Sequence, residues 1–318
     1  MNTNVVSSDR QSGSAFIFPG QGSQAVGMGL DLYQNSPAAR AIFDQMDDSL
    51  GMNLSKLIFE GPEDELRMTV NAQPAILATS LACLKAAEEI LGPSNMPEPS
   101  LVAGHSLGEY TALAASNAIS ISDAILLVRE RGRFMQEAAD TSIGGMAAIM
   151  GLDLESLEQI CETTHTEISN LNTPDQTVIS GDIESVQKAA EMADQMGARR
   201  TVQLPVAGAF HSRLMKPAQE GLSNVVASLQ CVPPTTPIIA NTSGLPISSV
   251  EELKNELISG LCSCVRWTDS VEYMINSGVS IFYEIGPGNA LTGMVRRINE
   301  EAIVININDL ESIKSLLD

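Results

Sequence analysis

The sequence predicts an α/β protein: a large domain built on a parallel sheet, interrupted by a smaller antiparallel α+β module. Three observations carry this. Short apolar runs ending in glycine-rich loops recur at Phe16-Ile-Phe-Pro-Gly-Gln-Gly-Ser-Gln24, Leu101-Val-Ala-Gly-His-Ser-Leu-Gly-Glu-Tyr110 and Ile281-Phe-Tyr-Glu-Ile-Gly-Pro-Gly-Asn289, each followed by a helix-forming segment. Such strand–loop–helix units build a parallel sheet with its loops gathered at one edge. Between the second and third, residues 144–205 read as strand, helix, strand, strand, helix, strand, the order of a ferredoxin-like module. The chain of 318 residues suits two domains, or one large domain with an insertion.

In chain order, the first 14 residues are polar and lack a signal-peptide core, so 1–14 is expected to be a disordered extension. The first glycine loop follows a short strand and leads into a helix through Tyr33. No Gly-Lys-Ser/Thr follows it and its glycine spacing is not that of a dinucleotide fingerprint, so it is not a phosphate cradle. Its backbone N–H groups can instead face an oxyanion. In the second loop, Gly104-His-Ser-Leu-Gly108 is a G-x-S-x-G arrangement, and the run to Ser116 after it is rich in small helix formers. That is the nucleophile elbow of an α/β-hydrolase-like sheet: a sharp strand-to-helix turn that exposes Ser106 and aims helix N–H groups at whatever is bonded to it.

The ferredoxin-like insertion follows. Strands are expected over 145–150, 167–172, 176–181 and 199–204, and helices over 154–161 and 183–196. This gives a disordered 1–14, a catalytic domain over 15–143 and 206–318, and a small subdomain over 144–205. The module sits between Ser106 and His211 in sequence, so the site is expected in the cleft between the two parts. Asn172, at a strand end facing that cleft, is a candidate substrate contact or a plain turn residue.

A serine hydroxyl needs a base, and histidine suits this near neutral pH. The chain has three. His105 adjoins Ser106, but consecutive residues of a tight elbow point different ways. His165 sits in a polar helix end. His211, in Val206-Ala-Gly-Ala-Phe-His-Ser212, follows an apolar strand-like segment and is the base by elimination. Upstream, 125–135 is an amphipathic helix bearing Arg129, Arg131 and Arg133; Arg131 departs from the face shared by the other two. Its neighbour Gly132 leaves room beside it, so it can hold a carboxylate bidentately and select an acyl group bearing a free acid.

Composition narrows the classes. The chain is 44% hydrophobic and 18% charged, as in an ordinary globular protein. No apolar run reaches the roughly 18 residues that a spanning helix needs. Five cysteines without framework spacing predict reduced thiols, a cytoplasmic setting and no disulfides. Cys262 and Cys264 have no partner cluster, so neither a metal nor any other cofactor is expected. A net charge of −21 excludes nucleic acid as a partner, and a monomer is expected. An anionic partner would need local basic patches, and Arg199-Arg200, Arg213 with Lys216, and Arg296-Arg297 are the compact candidates.

Taken together, Phe18-Pro-Gly-Gln-Gly-Ser-Gln24, Gly104-His-Ser-Leu-Gly-Glu-Tyr110, Arg131-Gly132, Gly145-Met-Ala-Ala148, Gly208-Ala-Phe-His-Ser212, Val265-Arg-Trp267 and Glu284-Ile-Gly-Pro-Gly288 resemble the malonyl-CoA:acyl carrier protein transacylase family, over nearly the whole chain. The resemblance implies ping-pong acyl transfer between malonyl-CoA and an acyl carrier protein, in fatty acid or polyketide synthesis. It makes Ser106 the nucleophile, His211 its base, the backbone N–H groups of Gln21 and Leu107 the oxyanion hole, and Arg131 the partner of the malonyl carboxylate. It implies that a main-chain carbonyl, here of Gly260, orients the histidine. The family commonly has glutamine at that place and proline at the place of Cys264, so a looser loop is expected. Phe210 resembles the malonyl-selective form; crowding an α-methyl branch is typically worth about 1–3 kcal/mol. A serine hydrolase and a non-catalytic carrier-binding subunit are the competing readings. The first is disfavoured by Arg131 and the lack of a triad acid, the second by the presence of both Ser106 and His211.

Overall fold

Five apolar strands lie parallel at the centre of the computed structural model, which describes residues 13–317. They are β1 (Gly13–Phe18), β2 (Leu101–Gly104), β7 (Ile238–Ile239), β8 (Val279–Ile285) and β9 (Ile303–Ile307), ordered β7-β2-β1-β8-β9. Alternation along β1 puts Phe16 and Phe18 on one face and Ala15 and Ile17 on the other, and each face has its own buried cluster. Burial on both faces is why these strands read as continuous apolar runs. The fold class is the one expected. Gly13 and Ser14 belong to β1, so the expected 1–14 extension is two residues too long; 1–12 lie outside the described residues.

One face is covered by the helix Thr69–Leu91, which is buried nearly all round, and by the helix Ile121–Thr141 packed along it. The other face is covered by Trp267–Asn276 and Ala290–Ile298. The latter is anchored from the sheet: Glu284, at the end of β8, accepts from the N–H groups of Leu291 (3.1 Å) and Thr292 (2.8 Å). A carboxylate at a helix N-terminus satisfies orphan donors and opposes the dipole.

The second sheet is antiparallel, with β3 (Gly144–Met150), β4 (Glu167–Thr173), β5 (Gln176–Asp182) and β6 (Arg200–Gln203) in the order β4-β5-β3-β6. Helices Leu154–Thr164 and Ile183–Gln195 complete the βαββαβ pattern. Ala147 and Ile149 pack among Leu157, Ile160 and Val186, while Met146, Ala148 and Val178 join the main core. Edge strand β4 is stitched to the large body: the Leu171 N–H donates to the Val265 carbonyl (2.9 Å), and the Val265 N–H to that of Ser169 (2.8 Å). Among the described residues, no helix is long and apolar enough to cross a membrane.

Candidate active site

The strand-to-helix turn after β2 is tight enough to dictate its glycines. A Cβ on Gly104 would fall 1.9 Å from the Gly108 carbonyl carbon, and one on Gly108 would fall 2.0 Å from the Phe18 carbonyl oxygen. Ser106 between them has φ 51°, in the left-handed region that side chains avoid. Its N–H donates to Asn241 Oδ1 (2.7 Å), and Asn241 Nδ2 donates to the Gly104 carbonyl (2.7 Å), so one amide braces the turn.

Ser106 Oγ–H donates to His211 Nε2 at 2.8 Å. His211 Nδ1–H donates to the carbonyls of Gly260 (2.8 Å) and Ser263 (3.1 Å). Two acceptors at Nδ1 fix the tautomer and leave the Nε2 lone pair facing the serine. His211 also has a positive φ, 58°. The strand that precedes it is β6, the edge of the small sheet, where the last strand of the inserted module is expected. The loop carrying Gly260 is not loose. The Val265 bonds to β4 and an Arg266 N–H to Asn241 carbonyl bond (2.8 Å) tie it down without a proline, and Gly260 itself is in ordinary right-handed helical conformation.

Arg131 is 2% exposed. Its Nη2 donates to Ser106 Oγ at 3.1 Å, and its guanidinium lies 5.0 Å from the centre of the Tyr110 ring. Its Nε has no hydrogen-bond partner, and no acidic side chain pairs with it among the described residues. Arg129 instead bonds Val70 and Asn71, and Arg133 bonds Glu130 and Glu137. Gly132 does not open space beside Arg131 for a ligand. Gly132 abuts Thr69, where a Cβ would lie 2.8 Å from the carbonyl oxygen, so its small size serves packing between two helices and not ligand access.

Burial first, and the Arg131 charge second, push the His211 pKa down from 6.5 to about 3. The imidazole is therefore neutral, and able to accept a proton, well below ordinary histidine titration. A lowered folded pKa contributes stability that is present above 6.5 and lost as pH falls towards 3. The acylation rate is expected to show no inflection at the ordinary histidine pKa. A pH profile of kcat/KM that breaks near 6.5 would contradict this.

These groups open on a cavity of about 470 Å³ between the two sheets, lined also by Gln21, Asn172, Met146, Phe210 and Met294. Gln21 lies on the loop after β1. Neither its N–H nor that of buried Leu107 makes a hydrogen bond among the described residues, so both amides are available beside Ser106. His105 turns away from Ser106 to Asn172 Oδ1 (2.9 Å) and the edge of Trp267. Asn172 Nδ2 donates to Gln176 Oε1 (3.1 Å), which leaves one of its N–H bonds for the cavity. Among the described residues, no cluster of three potential metal ligands occurs.

Residues 15–315 match the family model described as the acyl transferase domain. The chain belongs to the acyl transferase domain family. It is 45% identical to the malonyl CoA-acyl carrier protein transacylase of Bacillus subtilis (strain 168), over 94% of this chain and 95% of that protein. It superposes with a TM-score of 0.92 on the acyl-carrier-protein-S-malonyltransferase of Bartonella henselae, with 42% identity over 96% and 98% of the two chains. The TM-score is also 0.92, with 38% identity over 96% and 99%, for a malonyl-transacylase solved in complex with a type II PKS acyl-carrier protein. Membership gives the geometry its chemical context: a serine, an imidazole and a buried guanidinium line one cavity in a chain of an acyl transferase family.

Sequence reasoning did not reach Asn241, Ser263 or Glu256, and met Glu109 and Tyr110 only as part of the elbow motif, without a role. Only Asn241 carried a local signal, as a polar residue ending the apolar run Ile238-Ile-Ala240.

Proposed function

We propose that this chain transfers the malonyl group from malonyl-CoA to the phosphopantetheine thiol of an acyl carrier protein, through a malonyl ester on Ser106. The observation that carries this is the buried Arg131 guanidinium, which has no carboxylate partner among the described residues and touches Ser106 Oγ. A buried cation without an anion is costly, and a ligand carboxylate relieves that cost. The relatives' names, for malonyl transfer and for a carrier complex, support the same reading.

His211 Nε2 takes the Ser106 proton as Oγ attacks the thioester carbonyl. The resulting oxyanion is met by the Gln21 and Leu107 amides. Collapse breaks the carbon–sulfur bond, and the imidazolium returns the proton to the coenzyme A sulfur. The carrier thiol then repeats the sequence in reverse: it gives its proton to His211, attacks the ester carbonyl, and leaves Ser106 to recover the proton. Arg131 holds the malonyl carboxylate throughout, and Phe210 crowds the carbon between the two carbonyls. The division into 15–143 plus 206–318, with 144–205 inserted, belongs to this reading, since the cavity is lined by residues of both parts.

Intact-mass measurement tests it. Malonyl-CoA alone should add one malonyl group, and added carrier should remove that group and gain it. Release to water in preference to the carrier would make the enzyme a hydrolase and overturn the proposal.

The basic residues for carrier docking can be narrowed. Arg199 is paired with Asp175 (2.6 Å) and Arg213 with Glu167 (2.8 Å). Exposed Arg200, Arg296 and Arg297 make no ion pair among the described residues, and the last two continue the helix whose Met294 lines the cavity. Charge reversal at Arg296 and Arg297 is expected to raise the carrier KM by about tenfold, roughly 1.4 kcal/mol, while self-malonylation stays unchanged. Unaltered carrier kinetics would move docking to apolar contacts.

A further inference from the structure

We propose that Glu109 and Glu256 form a proton-sharing carboxyl pair that positions the Ser106–His211 dyad, locking the helix that presents the serine to the helix whose end holds the histidine. The inference rests on the dyad reading above. Glu109 lies in the elbow helix Gly108–Ala115 and Glu256 in the helix Val250–Ser259; they are 3% and 5% exposed. Two consecutive amides after β7 receive them: the Asn241 N–H donates to Glu109 Oε1 (2.9 Å) and the Thr242 N–H to Glu256 Oε1 (2.9 Å). Thr242 Oγ1–H donates to Glu256 Oε2. Glu256 thus accepts at both oxygens and is the carboxylate of the pair. Glu109 Oε2 takes no donor among the described residues, and is the oxygen left to carry the proposed proton towards Glu256.

Burial, and then the neighbouring Glu256 charge, hold the Glu109 acid well above the usual carboxylate range. The other titratable groups that bear on this spot are Tyr110, from the elbow helix, and Arg131, from the helix Ile121–Thr141, which lies over the Tyr110 ring. Neither makes a hydrogen bond to either carboxyl; Tyr110 Oη–H donates to the Leu257 carbonyl (3.2 Å), a second tie between the same two helices. The pair reaches both members of the dyad. On one side, Asn241 joins Glu109 to the Ser106 N–H (2.7 Å). On the other, the Glu256 carbonyl accepts from the Gly260 N–H (2.8 Å), and the Gly260 carbonyl holds His211 Nδ1 (2.8 Å). Losing the shared proton leaves two buried anions facing each other, and the two helices are pushed apart.

Infrared spectroscopy and kinetics of three proteins test this. At neutral pH the wild type should show the carbonyl stretch of a protonated carboxylic acid, and Glu109→Gln should lack it. Glutamine keeps the donor and cannot ionise, so its kcat should stay within about threefold of wild type. Glu109→Leu, which cannot bridge, should lose kcat by about tenfold or more while the KM for malonyl-CoA moves less than about threefold. A raised folded pKa contributes stability that is lost as pH rises through it. Glu109→Gln should therefore flatten the fall of Tm and kcat at alkaline pH. A missing acid band, or a glutamine variant as impaired as the leucine one, overturns the proposal. If the leucine variant does not fold, the glutamine variant decides alone. Malonyl mass on wild-type Ser106 separates the two failures: without it the dyad reading falls, and with it only the pair does.

Discussion

Replacing Ser106 with alanine is expected to abolish the malonyl adduct and lower transfer to the carrier by roughly 10⁴-fold or more, with the fold intact. The hydroxyl is the atom that becomes the ester oxygen, and His211 Nε2 and Arg131 Nη2 both converge on it, at 2.8 and 3.1 Å. No other hydroxyl is shown in contact with that imidazole. The side chain contributes little to packing, and the turn is held by the Ser106 N–H, which alanine keeps. Thermal unfolding should therefore shift by only about 2–4 °C, the scale of 1 kcal/mol in a chain of this size. Malonyl mass on the alanine variant would place the nucleophile elsewhere.

Arg131→Ala is expected to separate malonyl from acetyl transfer. Only malonyl has a carboxylate to lose its partner, and truncating one side of a buried charged pair typically costs about 2–5 kcal/mol, or roughly 30- to 5,000-fold. Acetyl transfer should fall far less, since acetyl has no carboxylate and loses only the support Arg131 gives Ser106 Oγ and His211. Lysine should rescue poorly, since it lacks the planar fork. The arginine charge is also the second cause that keeps the His211 pKa low. Removing it should move the acid limb of acylation to higher pH with either substrate. Equal losses on malonyl and acetyl would remove Arg131 from the specificity role.

Those two residues were legible because their signals are local. The elbow declares itself within five residues, Gly104 to Gly108, through steric demands that only glycine meets. Arg131 stands out against Arg129 and Arg133 by helical phase, although Gly132 beside it has a packing purpose that phase does not reveal. His211 was reachable because only three histidines compete, and it follows the last strand of the small module, which the sequence also marks. The helix Thr69–Leu91 gave no amphipathic stripe because it is buried nearly all round. The roles of Asn241, Glu109 and Glu256 were not legible. Each bonds partners more than a hundred residues distant or, for Thr242 and Glu256, across a loop and a helix turn, and pairings of that span leave no trace in spacing.

Both proposed reacting side chains hang from backbone that non-glycine residues adopt reluctantly, Ser106 at φ 51° and His211 at φ 58°. Such positions typically cost about 1–3 kcal/mol each. Selection for folding alone would thus favour glycine at both, so a copy of this gene freed from its reaction should drift towards a sturdier and inert protein. Persistence of serine and histidine at 106 and 211 across a lineage is then a record of the chemistry being used, independent of any assay.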